Sequence, residues 1–320
     1  EPNEGMGVQG EVQGEEGGAA GAVTRPDREF QYINDLSPEE KDKLKEKALL
    51  GLDPNYGDLL SVVSGPTKYH RRHRHTNNHR RKDLGIKNAR KKRKQGKTVQ
   101  RYGANGNQSI NELEAGLRGK NKNSLQLDEF VAYCTAKNAY NSAVRPFYGK
   151  YMFRKLRFDA HLRRQRSEDM VLNRFKAALH PNRPASEVVI GWGDFSQFNK
   201  LRFQEPTKGI GFRRLFRKAG YHVYLVDEYL TSQKCCKCAM VGHGEALCKK
   251  FRRVPNPRPH RRQRRPWVEC HGLVKCGECN TMFNRDVNSA VNIWRIARAA
   301  IMGRPRPDCM ARGAQNAAPV

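Results

Sequence analysis

Ala48-Leu49-Leu50-Gly51-Leu52-Asp53-Pro54-Asn55-Tyr56-Gly57, followed closely by Leu59-Leu60-Ser61-Val62-Val63, reads as two buried strands joined by a tight turn, the first ending in a carboxylate. The apolar runs are short and bounded by Pro, Asn and Gly, the residues that set turn geometry, so a hairpin is expected. Two later runs have the same form. Val188-Val189-Ile190 leads into Gly191-Trp192-Gly193-Asp194, and His222-Val223-Tyr224-Leu225-Val226-Asp227-Glu228 alternates like a strand and ends in acids. Elsewhere the period is helical. From Leu125 to Leu179, punctuated by Pro146 and Pro181, Leu127, Phe130, Val131 and Cys134, then Leu156, Phe158 and Leu162, are spaced for one face. An amphipathic helix is predicted around Phe212–Lys218, stopped by Gly220. Another is predicted over Val287–Met302, with Val287, Ala290, Val291, Trp294 and Ala297 on one face and Gly303 at its end. Strands first, a long helical insertion, then alternating strand and helix make this an α/β chain without internal repeats.

Composition narrows the partners. The chain has 320 residues, 37% of them hydrophobic and 29% charged, with 61 Lys and Arg against 32 Asp and Glu and a net charge of +29. A mean hydropathy of -0.85 and a pI near 10.1 leave a modest core and a strongly basic surface. Such charge repels itself unless a polyanion neutralises it, which favours nucleic acid over membranes or acidic proteins. The positive charge comes in blocks. Residues 68–101 include His70-Arg71-Arg72-His73-Arg74-His75 and Lys91-Lys92-Arg93-Lys94, too dense for an ordinary solvated helix face. A second, Arg-rich block occupies residues 252–265. Both would follow phosphates without reading sequence, with Tyr69, Tyr102 and Trp267 as candidates for stacking on bases. No apolar run approaches the roughly 20 residues a bilayer span needs. Residues 1–30, acidic and Gly-rich, read as disordered and unlike a signal peptide, and Ser37 with Glu40 predicts a short capped helix to Lys47.

Without a secretory signal, the nine cysteines read as metal ligands in a reducing compartment. Cys235-Cys236-Lys237-Cys238 and Cys276-Gly277-Glu278-Cys279 are two C-x-x-C knuckles. Each knuckle points two thiolates at one ion, and two knuckles complete a tetrahedral structural zinc site of Cys235, Cys238, Cys276 and Cys279. The segment between them exceeds the roughly 15–20 residues of a standard ribbon and is expected to loop out, Lys249–Arg265 being rich in Pro, Arg and His. Cys236, Cys248, Cys270 and His271 remain as spare ligands or as ordinary reduced or buried residues.

Three acids share a setting: Asp53 and Glu228 at strand ends and Asp286 at the opening of the last helix. Two-metal nucleases need carboxylates fixed on rigid elements and converging from distant parts of the chain, holding two Mg²⁺ ions about 3.5–4 Å apart. Each acid alone has a plainer reading, Asp53 as a turn former, Asp286 as a helix cap and Glu228 as a surface strand end. The residues themselves leave the two readings balanced.

The string Thr231-Ser232-Gln233-Lys234-Cys235-Cys236-Lys237-Cys238, then Cys276-Gly277-Glu278-Cys279, then Asn284-Arg285-Asp286-Val287-Asn288-Ser289-Ala290-Val291-Asn292-Ile293, resembles the C-terminal signature of the TnpB transposon nucleases, relatives of the type V CRISPR effectors. Val226-Asp227-Glu228-Tyr229 before Thr231-Ser232, and His271-Gly272-Leu273 before the second knuckle, resemble more closely Fanzor, the eukaryotic branch. Gly51-Leu52-Asp53-Pro54 and Thr76-Asn77-Asn78-His79-Arg80-Arg81-Lys82-Asp83-Leu84-Gly85 extend that likeness, which runs from about Leu49 to Trp294. The resemblance implies an RNase H-like (RuvC) mixed sheet with a helical insertion and an inserted four-cysteine zinc ribbon. It implies RNA-guided, Mg²⁺-dependent DNA cleavage, with guide RNA and target DNA as partners and a monomeric protein. It assigns Asp53, Glu228 and Asp286 as catalytic, Mg²⁺-binding acids, with Asp194 as the substitute second acid, since TnpB proteins place a Glu just after the strand Val188-Val189-Ile190.

The expected organisation is an N-terminal tail over 1–47, a first nuclease part over 48–230 with the helical insertion at 125–180, the zinc-ribbon module over 231–283, a nuclease helix over 284–303 and a loose tail over 304–320. Two departures from the family stand out. Asn55 replaces the usual Gly after Pro54, which Asn tolerates through positive φ. Only about fifty residues precede Asp53, where the family carries a large guide-gripping part, and the chain opens on Glu1; a truncated chain or decayed gene is the expectation. The alternative function is therefore a catalytically inactive, transposon-derived zinc-ribbon protein that binds nucleic acid. A ribosomal or transcriptional zinc ribbon leaves the strand-end acids unexplained. The run Arg90–Lys94 predicts nuclear import in a eukaryote, and a cytoplasmic location otherwise.

Overall fold

The structure, a computed structural model, describes residues 29–55, 57–66, 70–102, 106–195, 208–238, 248–250, 254–255, 264–268, 270 and 272–312. The first helix, α1 (Pro38–Leu44), carries the expected capping box: the Ser37 hydroxyl accepts from the Glu40 amide, and the Glu40 carboxylate accepts from the Ser37 amide. Strands β1 (Ala48–Asp53) and β2 (Asp58–Val63) form the predicted antiparallel hairpin, with Asp53 opposite Ser61. The basic block then builds a third strand, β3 (Arg72–Thr76), and two helices, α2 (Asn77–Asp83) and α3 (Ile86–Val99).

A two-residue ribbon, β4 (Arg101–Tyr102) with β5 (Gln108–Ser109), and the short α4 (Ile110–Ala115) lead to the helical insertion. This is a pair of long helices, α5 (Leu127–Tyr148) and α6 (Tyr151–Leu179). The break falls at Gly149, and Pro146 sits inside the last turns of α5. Strand β6 (Val188–Gly193), helix α7 (Gly209–Lys218) and strand β7 (His222–Val226) follow. Gly220, at φ +91°, ends the turn after α7 in the left-handed conformation the sequence predicts. The remaining strands are β8 (Cys248–Lys250), β9 (Val254–Pro255), β10 (Trp267–Val268), β11 (Leu273–Cys276) and β12 (Met282–Asn284). Helix α8 (Arg285–Ile301) closes the fold.

The main sheet has five strands in the order β3-β2-β1-β6-β7. The pairs β3–β2 and β2–β1 are antiparallel, while β1–β6 and β6–β7 are parallel. This mixed sheet is the RNase H-like arrangement, with the parallel strands all ending on one edge. One face is covered by the C-terminal half of α6 and by α7: Val171, Phe175, Leu179, Phe212 and Phe216 pack on Leu50, Leu52, Ile190, Trp192 and Leu225. On the other face lies α8, whose Ile293, Ile296, Ala297 and Ile301 pack on Leu49, Val189 and Val226. Among the described residues no helix is long and apolar enough to cross a membrane.

Three expectations are corrected. Residues 29–47 do not form a tail: Phe30, Ile33, Leu36 and Leu44 are buried, and the Leu225 amide donates to the Gln31 carbonyl at 2.8 Å. Residues 304–312 are likewise anchored, with Met310 buried and Arg306 and Arg312 paired to Asp227. In the insertion, Leu127, Phe130, Val131 and Phe158 are exposed, and the buried positions are Val144 and Phe147 of α5 with Val171, Phe175 and Leu179 of α6. Periodicity marks a face that could be buried; only the C-terminal half of α6 has the main sheet beneath it, while Val144 and Phe147 of α5 pack on Ile110 of α4.

Helix α8 approaches the sheet closely because two glycines face it. Gly51 and Gly191 are register partners on β1 and β6. A Cβ at Gly51 would overlap the Ala290 carbonyl and stand 2.6 Å from Trp294 Cβ, and one at Gly191 would stand 2.9 Å from Ala297 Cβ. Gly51→Ala should therefore lower unfolding free energy by roughly 1–3 kcal/mol, as overpacking does, whereas Gly57→Ala, where a Cβ meets nothing within 4 Å, should not; thermal or urea denaturation separates them.

Candidate functional site

Side chains alternate across a strand, and this alternation decides which acids meet. On β1, Leu50 and Leu52 face α6 and α7, and Leu49 and Gly51 face α8. Asp53 thus ends the strand on the α8 face, where its Oδ1 accepts from Ser289 Oγ at 3.1 Å. On β7, Val223 and Leu225 face α7, and Tyr224 and Val226 face α8. Glu228 continues the second set. Between the two strands, Gly193 ends β6 beside Val226, and a Cβ there would stand 2.6 Å from Glu228 Cδ. The side chain that Gly193 lacks is the space that Glu228 fills.

The third acid arrives on α8. Asn284 is the helix cap, its Oδ1 accepting from the amides of Asp286 at 3.0 Å and Val287 at 3.1 Å. The Asp286 carboxylate is therefore not consumed in capping. Its Oδ1 accepts from Asn55 Nδ2 at 2.9 Å and from the Arg285 guanidinium at 3.1 Å. The hairpin keeps the predicted turn, and Asn55 is not among the described non-glycine residues with positive φ. It stands after Pro54 as a hydrogen-bond donor that ties the β1–β2 turn to Asp286.

Electrostatics binds the three together. Burial, and then the charge of Asp286, push the Asp53 carboxyl well above the ordinary range. Burial, and then the charges of Asp53 and Asp194, push Glu228 the same way. The acids thus concentrate negative charge, offset by Arg285 and the Ser289 hydroxyl at Asp53 and by the buried Arg213 and the Phe195 amide near Glu228. Carboxylates in that condition fit divalent cations. They are not in one tight ligand cluster, and a two-ion site does not require that. Ions about 3.5–4 Å apart with metal–oxygen distances of about 2.0–2.1 Å are reached by oxygens roughly 8 Å apart.

Asp194 has a different place. It follows Trp192 in the alternation, away from α8, and its Oδ1 accepts from the Glu228 amide at 3.2 Å while Oδ2 accepts from the Tyr32 hydroxyl at 3.0 Å. It holds the backbone of Glu228. A second set of contacts fixes the chain just beyond. Thr231 Oγ1 donates to the Glu228 carbonyl at 2.9 Å and lies 3.0 Å from Ser289 Oγ. The amides of Asn288 and Asn292 donate to the carbonyl of Lys234 at 2.8 and 2.9 Å, and Asn288 Oδ1 accepts from the Cys236 amide at 2.9 Å.

Those bonds hold the first knuckle against α8, and the predicted cysteines meet there. The ligand atoms of Cys235, Cys238, Cys276 and Cys279 lie within 4.8 Å of one another, the one such group of three or more among the described residues. Sγ–Sγ distances are 3.7 Å for Cys235–Cys279 and for Cys238–Cys276. Tetrahedral zinc with Zn–S near 2.3 Å sets thiolates roughly 3.8 Å apart, so this donor set fits the ion. Among the described residues of the insert, β8 and β12 flank β11 in a three-stranded sheet, and β9 pairs with β10. Of the spare candidates, Cys236 packs with Val63, Ala290 and Val291 outside the ligand set. Cys270 is half-buried and also outside it. The Cys248 side chain and His271 lie outside the described residues, as do Tyr69 and most of the Arg-rich block 252–265. Tyr102 packs edge-on against Phe147 at 5.7 Å, whereas Trp267 is exposed.

Sequence reading missed Ser289, Asn55, Asp194 as a clamp, Tyr32, and the polar pair Asn288 and Asn292. The last pair carried a signal, since two asparagines four residues apart interrupt an otherwise apolar helix face. Ser289, one helical turn after Asp286, carried a weaker one.

The fold and site define an α/β domain with carboxylates gathered at the end of its parallel strands and a four-cysteine ribbon inserted between two of them. Residues 214–293, which include Glu228, the four cysteines and Asp286, match the family model of the Cas12f1-like TNB domain. Among solved structures, the chain is similar to CasPhi-2 (Cas12j) bound to crRNA and phosphorothioate-DNA, at 13% identity and a TM-score of 0.42, over 84% of this chain and 48% of that one. It is also similar to CasPhi-2 bound to crRNA, at 14% identity and a TM-score of 0.34, over 88% of this chain and 52% of that one. The chain thus spans about half the length of these structures. No curated protein matches it.

Because the folded protein raises the carboxyl pKa of Asp53, its contribution to stability is full below the unfolded value near 3.9 and is lost as pH rises through the folded one. Asp53→Asn should accordingly raise the melting temperature at pH 8 in Mg²⁺-free buffer, by roughly 2–4 °C per kcal/mol relieved, and the gain should shrink at pH 5. Equal gains at both pH values would contradict a buried ionised Asp53.

Proposed function

We propose that this chain is an RNA-guided, Mg²⁺-dependent DNA endonuclease of the TnpB type, with Fanzor its nearest branch, and that its ribbon holds a structural zinc ion. The observation that carries the reading is that Asp53, Glu228 and Asp286 neighbour one another on the α8 face of an RNase H-like sheet: the charge of Asp286 acts on Asp53, that of Asp53 acts on Glu228, and Asn55 of the β1–β2 turn donates to Asp286. The TNB match over 214–293 and the motif resemblance support guide RNA and target DNA as partners.

Bound among these carboxylates, two Mg²⁺ ions would supply an activated water and charge neutralisation at the leaving oxygen. The chain's own residues do the positioning. Ser289 orients Asp53, Asp194 and Thr231 fix the backbone of Glu228, and Asn55 and Arg285 hold Asp286. Zinc at Cys235, Cys238, Cys276 and Cys279 would hold the ribbon whose two ends meet α8, the helix that delivers Asp286 and Ser289. The basic run on α3 is exposed and open to a nuclear import receptor, consistent with a eukaryotic nuclear protein.

Nicking of supercoiled plasmid in Mg²⁺ by the full chain, with its co-expressed RNA, tests the proposal. Asp53→Ala, Glu228→Ala and Asp286→Ala should each abolish nicking while DNA binding persists, and Asp194→Ala should cost the roughly 10–100-fold of a residue that orients a ligand. Unchanged nicking in the three alanine variants would sink the assignment. Binding without nicking in the unmutated chain would instead identify a catalytically silent zinc-ribbon protein. In the same assay, a zinc-selective chelator added with Mg²⁺ in excess should remove both ribbon and nicking. If nicking survives complete zinc loss, the ribbon does not position the acids.

A further inference from the structure

After α8 the chain turns at Gly303, φ +67°, and continues as Arg304-Pro305-Arg306-Pro307. Each proline fixes its own φ and keeps the residue before it in extended backbone, so Arg306 stands on a stiff, non-helical stretch. Met310 anchors the far end of that stretch, fully buried in the cluster that α8 shares with Leu49, Val189 and Val226.

The Arg306 side chain is only 14% exposed, and every one of its nitrogens meets an oxygen. Nη2 donates to the carbonyls of Asp227 at 3.0 Å and Tyr229 at 3.1 Å, and Nε donates to the Met310 carbonyl at 2.7 Å. Nη1 stands 3.7 Å from Asp227 Oδ2. The first two carbonyls belong to the residues on either side of Glu228. Arg312 adds two bonds of 2.8 Å to the Asp227 carboxylate and lies 4.9 Å from the centre of the Tyr229 ring.

The backbone so gripped is strained. Leu230, two residues after Glu228, has φ +60°, in the left-handed region that a bulky side chain disfavours. Such a conformation persists only where its surroundings over-determine it. Here the Thr231 amide and hydroxyl close on the Glu228 carbonyl, Asp194 accepts from the Glu228 amide, and Arg306 holds the carbonyls before and after. Leu230 packs against the same cluster as Met310. An ammonium is a point donor, whereas the planar guanidinium reaches three carbonyls at once.

Resting on the nuclease reading, we infer that Arg306, stiffened by its flanking prolines and backed by Arg312, is a positioning residue that fixes the strained turn after β7 and so sets the Glu228 carboxylate in place for metal beside Asp53. Its influence on the metal passes through Glu228.

The test compares Arg306→Met, which keeps the aliphatic stem and removes the fork, with Arg312→Met, whose parent side chain is 66% exposed, and with Arg304→Met on the exposed part of the same segment. Single-turnover nicking at saturating DNA, by the full chain with its co-expressed RNA, is titrated with Mg²⁺. Electron paramagnetic resonance reads Mn²⁺ binding to the DNA-free chain, following the sites that Glu228→Ala removes. Arg306→Met should raise the half-saturating Mg²⁺ and weaken Mn²⁺ binding at least about tenfold, as loss of a group that orients a metal ligand does, and excess Mg²⁺ should restore part of the rate. Arg312→Met should move both the same way by about threefold, the scale of an exposed ion pair. Arg304→Met should move neither, and the three variants should bind DNA alike. A rate loss that excess Mg²⁺ leaves untouched, or that merely follows a lower melting temperature, would reduce Arg306 to a fold contact and overturn the inference. Unchanged metal dependence in Arg312→Met overturns it if Arg306→Met does not fold. An unmutated chain that binds Mn²⁺ at the acids, loses it in Arg306→Met and nicks nothing refutes the nuclease reading alone. One that nicks with a metal dependence Arg306→Met leaves unmoved refutes the inference alone, and a chain that neither binds Mn²⁺ nor nicks refutes both.

Discussion

Helix α8 sits where a side chain on β1 would forbid it. Gly51 and Gly191 lie side by side in the sheet, and Ala290 and Ala297, two helical turns apart, rest on them. Close approach of a helix to a sheet brings the first turn of α8 level with the end of β1. Asp286 and Ser289 then reach the turn and carboxylate of β1, and Trp294 Nε1 donates to the Leu49 carbonyl at 3.0 Å further down. Larger residues at the two glycines would raise the helix and separate the acids. The packing of the core and the geometry of the site are thus one constraint.

The polar seam beside that contact is costly and fully engaged. Asn288, Ser289 and Asn292 are buried on α8, and unpaired amides there would each lose about 1–3 kcal/mol. Instead they satisfy carbonyls and amides of residues 231–236, a stretch with no regular secondary structure to satisfy them. Irregular backbone can be buried here only because helix side chains complete its hydrogen bonds. The same bonds make the first knuckle part of the protein's core, with Cys236 packed against Val63 and Val291.

Much of this was legible in the residues. The strands were readable because their apolar runs are short and sharply bounded, and α8 because its apolar period runs unbroken to Gly303. The knuckle spacing announced the four cysteines. What was not legible depends on register and distance. The role of Gly193 emerges only when β6 and β7 are paired, because the side chain it admits comes from another strand. The bond between Tyr32 and Asp194 joins residues 162 apart, and no local pattern marks it. Residues 29–47 looked like the end of a polar tail, yet Phe30 and Ile33 find core partners that only the assembled sheet provides. In the insertion the error ran the other way: Leu127, Phe130 and Val131 keep helical period without burial.

The ribbon leaves the core at residues held by Asn288 and Asn292 and returns through Asn284, at the foot of the same helix. Its entry and exit are therefore fixed neighbours whatever lies between them. Closing a longer loop between fixed ends costs only about 0.6 kcal/mol for each doubling of length. The segment between the knuckles is free to grow, shrink or be exchanged over evolutionary time at little expense to the sheet beneath, which makes this the point in the chain where new recognition can be grafted.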